Sequence, residues 1–401
     1  MTSADFAIEP IAAPLPPDVR SLLKPGETAL QTLASTMRRI GEHLDAEGAI
    51  DAERTTEISA QLDRLSNYSV ESVAVREILV TGELSPRSFM ALMANTVVRV
   101  LPTYAEIPLN LAVHGIQGDL RHYGLIALNV NDEAGEGDPL QTHPALFNLS
   151  ARALSPIFGV PPLSIEVGLA ALLLRLHEGE WSTPEEGLDL VRHVLLRDEF
   201  GERASADRLL LDFRVACEYS DLIAREAIEC YLWRMHTLAD LLTVQFRGGK
   251  THEGYLELLS LLAVREAAAS DPGNIFHALS EMVARYAGHL GTETKAMADA
   301  LCWSDAHIDE ELGDEAGYEG HSVEDDHAEQ ALGAVLDHLY DDRDLLLAIN
   351  MMNAVNAHLR SLWEGTLRVM EEQEDGRIAA KRIPPELHAR VREERLQGVL
   401  G

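Results

Sequence analysis

The stretch from Ala127 to Pro144 sets a carboxylate and an imidazole at either end of a glycine-rich turn. Glu133 lies near the end of a helical-looking segment, Gly135 and Gly137 follow, and His143 opens the next segment. Such a turn brings both side chains back towards one point, and that donor pair suits a metal ion. Far downstream, His321, Glu324 and His327 repeat the same ligand chemistry at tight spacing. Steps of three on an ideal helix spread the three residues over about 120°. That is wide for one ion and suited to two neighbouring ions. In 3₁₀ geometry the same residues eclipse and point one way. Asp325 and Asp326 compete as carboxylates, and Asp325 shares a face with His321. Two imidazoles and a carboxylate form the set that holds Fe(II) with positions open for O2. The plainer account of the second cluster is an acidic first helical turn, which the helix dipole favours.

The elements that position these residues read as helices. Residues 1–25 are rich in Pro and Ala and are expected to be a disordered tail. Leu30, Leu33, Met37, Ile40 and Leu44 recur at helical spacing, as do Ile58, Leu62 and Leu65, so 26–85 is expected to form a helical pair. Two amphipathic helices cannot bury both faces alone, so the pair is a candidate homodimerisation arm. Val73 to Leu84 is less regular, with Gly82 marking a turn. Ser85-Pro86 reads as a fresh helix start. Pro102 and Pro108 then kink or interrupt the chain around Glu106. From 144 to 280 the pattern is nearly all helical, with turns at Pro161-Pro162, Thr183-Pro184, Gly248-Gly249 and Asp271-Pro272. A helix from about Ile275 to Leu290 follows. Residues 304–320 read as an acidic loop. Helices are expected from His321 to Leu339 and from about Asp344 to Glu371, the latter carrying Trp363. The charged segment 371–401 is expected to be an exposed tail. Alternating strand patterns, fixed-period repeats and nucleotide-binding or HExxH motifs are lacking from the sequence. The expected fold class is therefore all-α, a helical bundle.

Bulk properties narrow the function. The chain has 401 residues and a formal net charge of −33, which disfavours nucleic acid and membrane surfaces as partners. Cys217, Cys230 and Cys302 form no CxxC pair and no disulfide framework. They suit a reducing, cytoplasmic setting, as small core residues. The first residues lack a basic segment followed by an apolar one, so no signal peptide is expected.

The pattern Asn129, Glu133, Gly135, Gly137, His143 resembles the haem-oxygenase-like diiron oxidases and N-oxygenases. Asp325-Asp326-His327-Ala328 adds to the resemblance, as does the closing helix with its internal Trp363. The resemblance covers roughly 86–370 and implies a haem-oxygenase-like bundle without haem. It implies a non-haem iron centre with two Fe(II) ions, O2 as co-substrate and an external reductant or electron donor. It also implies that Glu106, Glu133, His143, Glu281, His321, Glu324 and His327 are ligands. Two features depart from the pattern. The last trio is spaced i, i+3, i+6 where the family has i, i+4, i+7. The interval from His143 to Glu281 is long, so 150–270 is expected to hold an inserted helical subdomain; otherwise Glu229, Glu226 or Glu293 is the third-helix carboxylate.

The implied activity is O2-dependent oxidation of a small amine or amino-acid-derived substrate, as in natural-product biosynthesis. N-oxygenation is favoured over desaturation or C–C cleavage. The rival readings are a single-iron or cofactor-free oxidase of the same fold, and a helical binding or regulatory protein with a degenerate metal site. His114, His122, His277 and His289 read as surface or hydrogen-bonded core histidines, with ligand orientation as the functional alternative. Arg121 and Arg285 read as ion-pairing residues, and Tyr104 and Tyr123 as core tyrosines.

Overall fold

A computed structural model of the chain describes residues 73–197, 202–246, 251–270, 275–306, 331–373 and 376–400, positions 332 and 336 apart. The expected N-terminal tail and most of the helical pair lie outside these residues. So do His321, Glu324 and His327, and most of the expected acidic loop.

The described chain is all-α. Its elements are α1 (Val73–Thr81), α2 (Pro86–Val100), α3 (Thr103–Gln117), α4 (Leu120–Glu133), α5 (His143–Phe158), α6 (Ile165–Leu176), α7 (Pro184–Leu195), α8 (Ala206–Ser220), α9 (Arg225–Phe246), α10 (Thr251–Ser270), α11 (Ile275–Ala287), α12 (Thr294–Ala306), α13 (Asp342–Glu372) and α14 (Pro385–Leu396). Strand pairing among the described residues is limited to isolated bridges, Leu84 with Ile378 and Arg197 with Arg203.

Local chemistry sets many boundaries. Ser85 caps α2 by accepting from the Ser88 amide, with Pro86 in the first turn. Thr183 and Glu186 form a capping box at α7, satisfying two amides that the helix itself leaves unpaired. Pro102 stands at the N-cap of α3, while Pro108 sits inside that helix on its exposed side.

Packing is organised around α2 and α13. Every α2 residue from Ser88 to Val100 is buried, the signature of a helix surrounded by others. The α13 helix packs against α9, α10, α2 and α1. Gly168 of α6 lies so close to α2 that a Cβ there would come within 2.5 Å of a Val97 methyl. The helices from the expected insertion, α6 to α10, therefore share their buried residues with α2 and α13 in one continuous core. Segment 371–401, expected to be an exposed tail, is mostly exposed where it is described, but it also docks on the bundle. Its helix α14 packs on α12, Val391 is fully buried, and Ile378 pairs with Leu84. Isolated apolar residues in a charged run give no periodic signal, so the docking could not be read from the pattern.

The α3–α4 pair positions the site. The two helices pack as a hairpin around Gly118, which takes the left-handed conformation at φ 73°. The hairpin leans on α10 through α3.

Candidate functional site

One inward face of α4 carries His122 at one end and Glu133 at the other, each part of a cluster of potential ligand side chains. His122 and Glu133 are eleven residues apart, which places them about 20° from each other around the helix and about 16 Å apart along it. Ile126 and Asn129 lie between them on the same face, and both are buried.

At the C-terminal end of α4, the glycine turn works as its residues suggest. Gly135 and Gly137 have φ of 69° and 93°, which disfavours side chains. A Cβ on Gly135 would stand 2.6 Å from the backbone of Gln141 and Thr142. The Asp138 amide donates to the Gly135 carbonyl, and the Asp138 carboxylate accepts from the Leu140 amide at 2.9 Å. Thr142 then caps α5. The result is a chain reversal that brings Nδ1 of His143 to 2.8 Å from Oε2 of Glu133. Both side chains are mostly buried. Tyr104 of α3 is close by: burial, then the charges of Glu133 and of Glu166 on α6, push its phenol far above its usual range. Glu166 also accepts from Nδ2 of Asn148 at 3.3 Å. Sequence reasoning did not single out Glu166, because nothing local links it to a motif 33 residues earlier.

Of the remaining implied ligands, His321, Glu324 and His327 lie outside the described residues, and Glu106 and Glu281 each have an arginine partner. Glu106 of α3 is fully buried and engaged by Arg234 of α9, whose Nε donates to Oε1 at 2.8 Å and whose Nη2 donates to Oε2. The same guanidinium donates to the Arg99 carbonyl at 2.6 Å. Glu281 of α11 pairs with Arg382 beside a cavity of about 330 Å³, lined also by Ser280 and His388. Two of its three runners-up are engaged as well: Glu226 with Arg368 and Glu229 with Arg225, both at 2.7 Å. Arg285 caps the end of α1 by donating to the carbonyls of Leu79 and Gly82. His289 lies 2.8 Å from the Ala379 carbonyl.

At the N-terminal end of α4 the structure assembles a cluster that sequence reasoning left as ordinary core histidines. Asp119, in the α3–α4 turn, is its centre. Its Oδ2 lies 2.7 Å from Nδ1 of His122, 2.8 Å from the Tyr255 hydroxyl of α10, 3.4 Å from Nε2 of His338 and 3.5 Å from Nδ1 of His114. Tyr255 donates to Asp119 and is also in hydrogen-bond contact with Nδ1 of His114. Asp337 lies 3.2 Å from Nε2 of His122 and accepts from Arg121 at 2.9 Å.

Burial and hydrogen bonding set the protonation of this cluster. Burial holds His114 down at about 4, against the opposing pull of Asp119. Burial raises the Asp119 carboxyl, but hydrogen bonds from Tyr255 and His122 outweigh it and hold the group at about 2. Burial, then the Asp119 hydrogen bond and charge, push the Tyr255 phenol far up. The cluster thus holds a stable carboxylate beside a neutral His114 and a protonated Tyr255 phenol. Asp119, His122 and His338 each offer a ligand atom, all within 4.8 Å of one another. The available signal was the short spacing of His114, Asp119 and His122. His338 and Tyr255 join only through tertiary packing.

No protein-family model, curated protein or solved structure matches the chain. No described helix is long and apolar enough to cross a membrane.

Proposed function

We propose that the chain is a non-haem iron oxidase or oxygenase of the haem-oxygenase-like type, acting on a small amine or amino-acid-derived substrate. The observation that carries this reading is the Glu133–His143 pair, a carboxylate oxygen and an imidazole nitrogen 2.8 Å apart across a turn that only glycine fits well. That spacing is close to the separation of adjacent ligands on one ion, and the donor types suit iron. Glu133 and His143 would hold the metal, with His321, Glu324 and His327 completing the set. Iron bound there supplies O2 activation, and electrons come from an external reductant. Around the pair, Tyr104 keeps its proton at neutral pH because burial and nearby carboxylates oppose its ionisation. It is a hydroxyl donor beside the ligands and not a base. N-oxygenation is the favoured outcome, ahead of desaturation or C–C cleavage.

Anaerobic Fe(II) titration followed by O2 exposure tests the reading, with Glu133→Ala as the comparison. Two irons and a transient visible absorption, both lost in the variant, support it. A lack of Fe(II) binding that depends on Glu133 overturns it.

A second reading has its own observation. Glu106 and Glu281 are each engaged by an arginine. With those two carboxylates committed elsewhere, a single-iron enzyme follows, and the same titration then saturates at one iron.

A further inference from the structure

We infer that Asp119, His122 and His338 form a second divalent-metal site, at the opposite end of α4 from Glu133 and His143, that takes a first-row transition ion with Zn(II) preferred. This inference does not rest on the iron reading.

Spacing is the first ground. Metal–ligand bonds of 2.0–2.2 Å put neighbouring donors about 3–3.5 Å apart. Around Oδ2 of Asp119, Nδ1 of His122 stands at 2.7 Å and Nε2 of His338 at 3.4 Å. All three ligand atoms lie within 4.8 Å of one another, so one ion could reach them together once the two imidazoles draw in around it.

The second ground is the orientation of His338. Its Nδ1 lies 2.8 Å from the Ala334 carbonyl, which can only accept. In the neutral ring that contact places the proton on Nδ1 and leaves Nε2, 3.4 Å from Oδ2 of Asp119, as the atom that can ligate.

His122 supplies the third ground. It is 3% exposed, and its Nε2 is buried without a hydrogen-bond partner. That nitrogen nevertheless lies 3.2 Å from the carboxylate of Asp337. If Nδ1 gives up its proton to ligate, the ring carries its proton on Nε2, facing Asp337, which Arg121 holds in place at 2.9 Å. Each ligating imidazole would then set its other nitrogen on an acceptor, Ala334 O for His338 and Asp337 for His122. Metal-bound histidines are oriented in just this manner. Tyr255 in turn fixes the ligating carboxylate, donating to it at 2.8 Å.

Two imidazoles and one carboxylate leave a coordination position open, as in hydrolytic zinc sites. The same donors accept Fe(II), but Zn(II) binds such a set more tightly.

The test uses the full chain, stripped with a chelator and titrated with Co(II) as a visible probe, then with Zn(II). In the Glu133→Gln/His143→Gln background, one Co(II) should bind with visible bands and be displaced by one equivalent of Zn(II). His338→Gln should abolish those bands while the far-UV circular dichroism stays unchanged. Asp337→Asn should weaken Co(II) binding about 10–100-fold. A featureless titration in the double variant, or bands that survive His338→Gln, would overturn the site and leave a proton-linked network. Iron is counted in the His338→Gln background, so failure of this site and failure of the Glu133–His143 site read out separately.

Discussion

The two ends of α4 carry the same donor types in opposite settings. At the C-terminal end, Glu133 and His143 are ten residues apart and meet through a turn enforced by Gly135. At the N-terminal end, the groups around Asp119 come from α3, α4, α10 and the segment ending at His338. The first arrangement is local and one substitution in the turn can undo it. The second is tertiary, and it depends on how the α3–α4 hairpin lies against α10. A pair joined by its own turn leaves a sequence pattern; a cluster joined by packing leaves almost none.

The largest expected effect concerns Glu106, the buried carboxylate next to the hairpin base. Arg234→Met strips it of its bidentate partner, and leaving one charge of a buried pair costs about 3–5 kcal/mol. Urea denaturation should show that loss, and adding Glu106→Gln should recover most of it. Recovery marks Glu106 as structural and confines the local metal donors to the glycine turn. A double variant as unstable as the single one breaks that distinction.

Tyr255→Phe comes next. It removes the hydroxyl shared by Asp119 and His114, and a buried group left unsatisfied costs about 1–3 kcal/mol. The urea midpoint should fall while Glu133-dependent iron binding is unchanged. Loss of that iron binding would show that the two ends of α4 act as one unit.

Gly135→Ala is the reciprocal substitution. A side chain at φ 69° is strained by about 1–2 kcal/mol, beyond its clash with Gln141. Iron affinity should drop with only a modest change in melting temperature. Intact affinity would mean that the turn is not what joins Glu133 to His143.

The remaining effect is in pH dependence. His114 is held at about 4 against an ordinary 6.5, and Asp119 at about 2 against 3.8. Both folded-state values are depressed. Their stabilisation is therefore complete above the unfolded-state values, and it is lost as pH falls, first for His114 between 6.5 and 4, then for Asp119. A chain of net charge −33 also gains stability on acidification as self-repulsion eases, so the informative quantity is a difference. From pH 7 to 4.5, the wild-type melting temperature should fall relative to that of His114→Gln. A constant gap would mean that His114 does not titrate in the folded state.

Helical periodicity, proline and glycine punctuation and capping residues were enough to specify an all-α chain, several helix starts and the Glu133–turn–His143 reversal. Each depends on residues within a few positions of one another. Those local rules also made the segment 371–401 read as a solvated tail, because Val391 and Ile383 are too sparse to register against the surrounding charge. Tertiary structure alone decided that this segment docks, that Glu106 belongs to Arg234, and that Glu166 lies near Tyr104. It also decided that His338 and Tyr255 reach Asp119 from positions more than a hundred residues away. The physical reason is the range of each interaction. Backbone conformation and helix capping are settled by neighbours in the chain, whereas the partner of a buried charge or imidazole is settled by whichever helix the core packs against it.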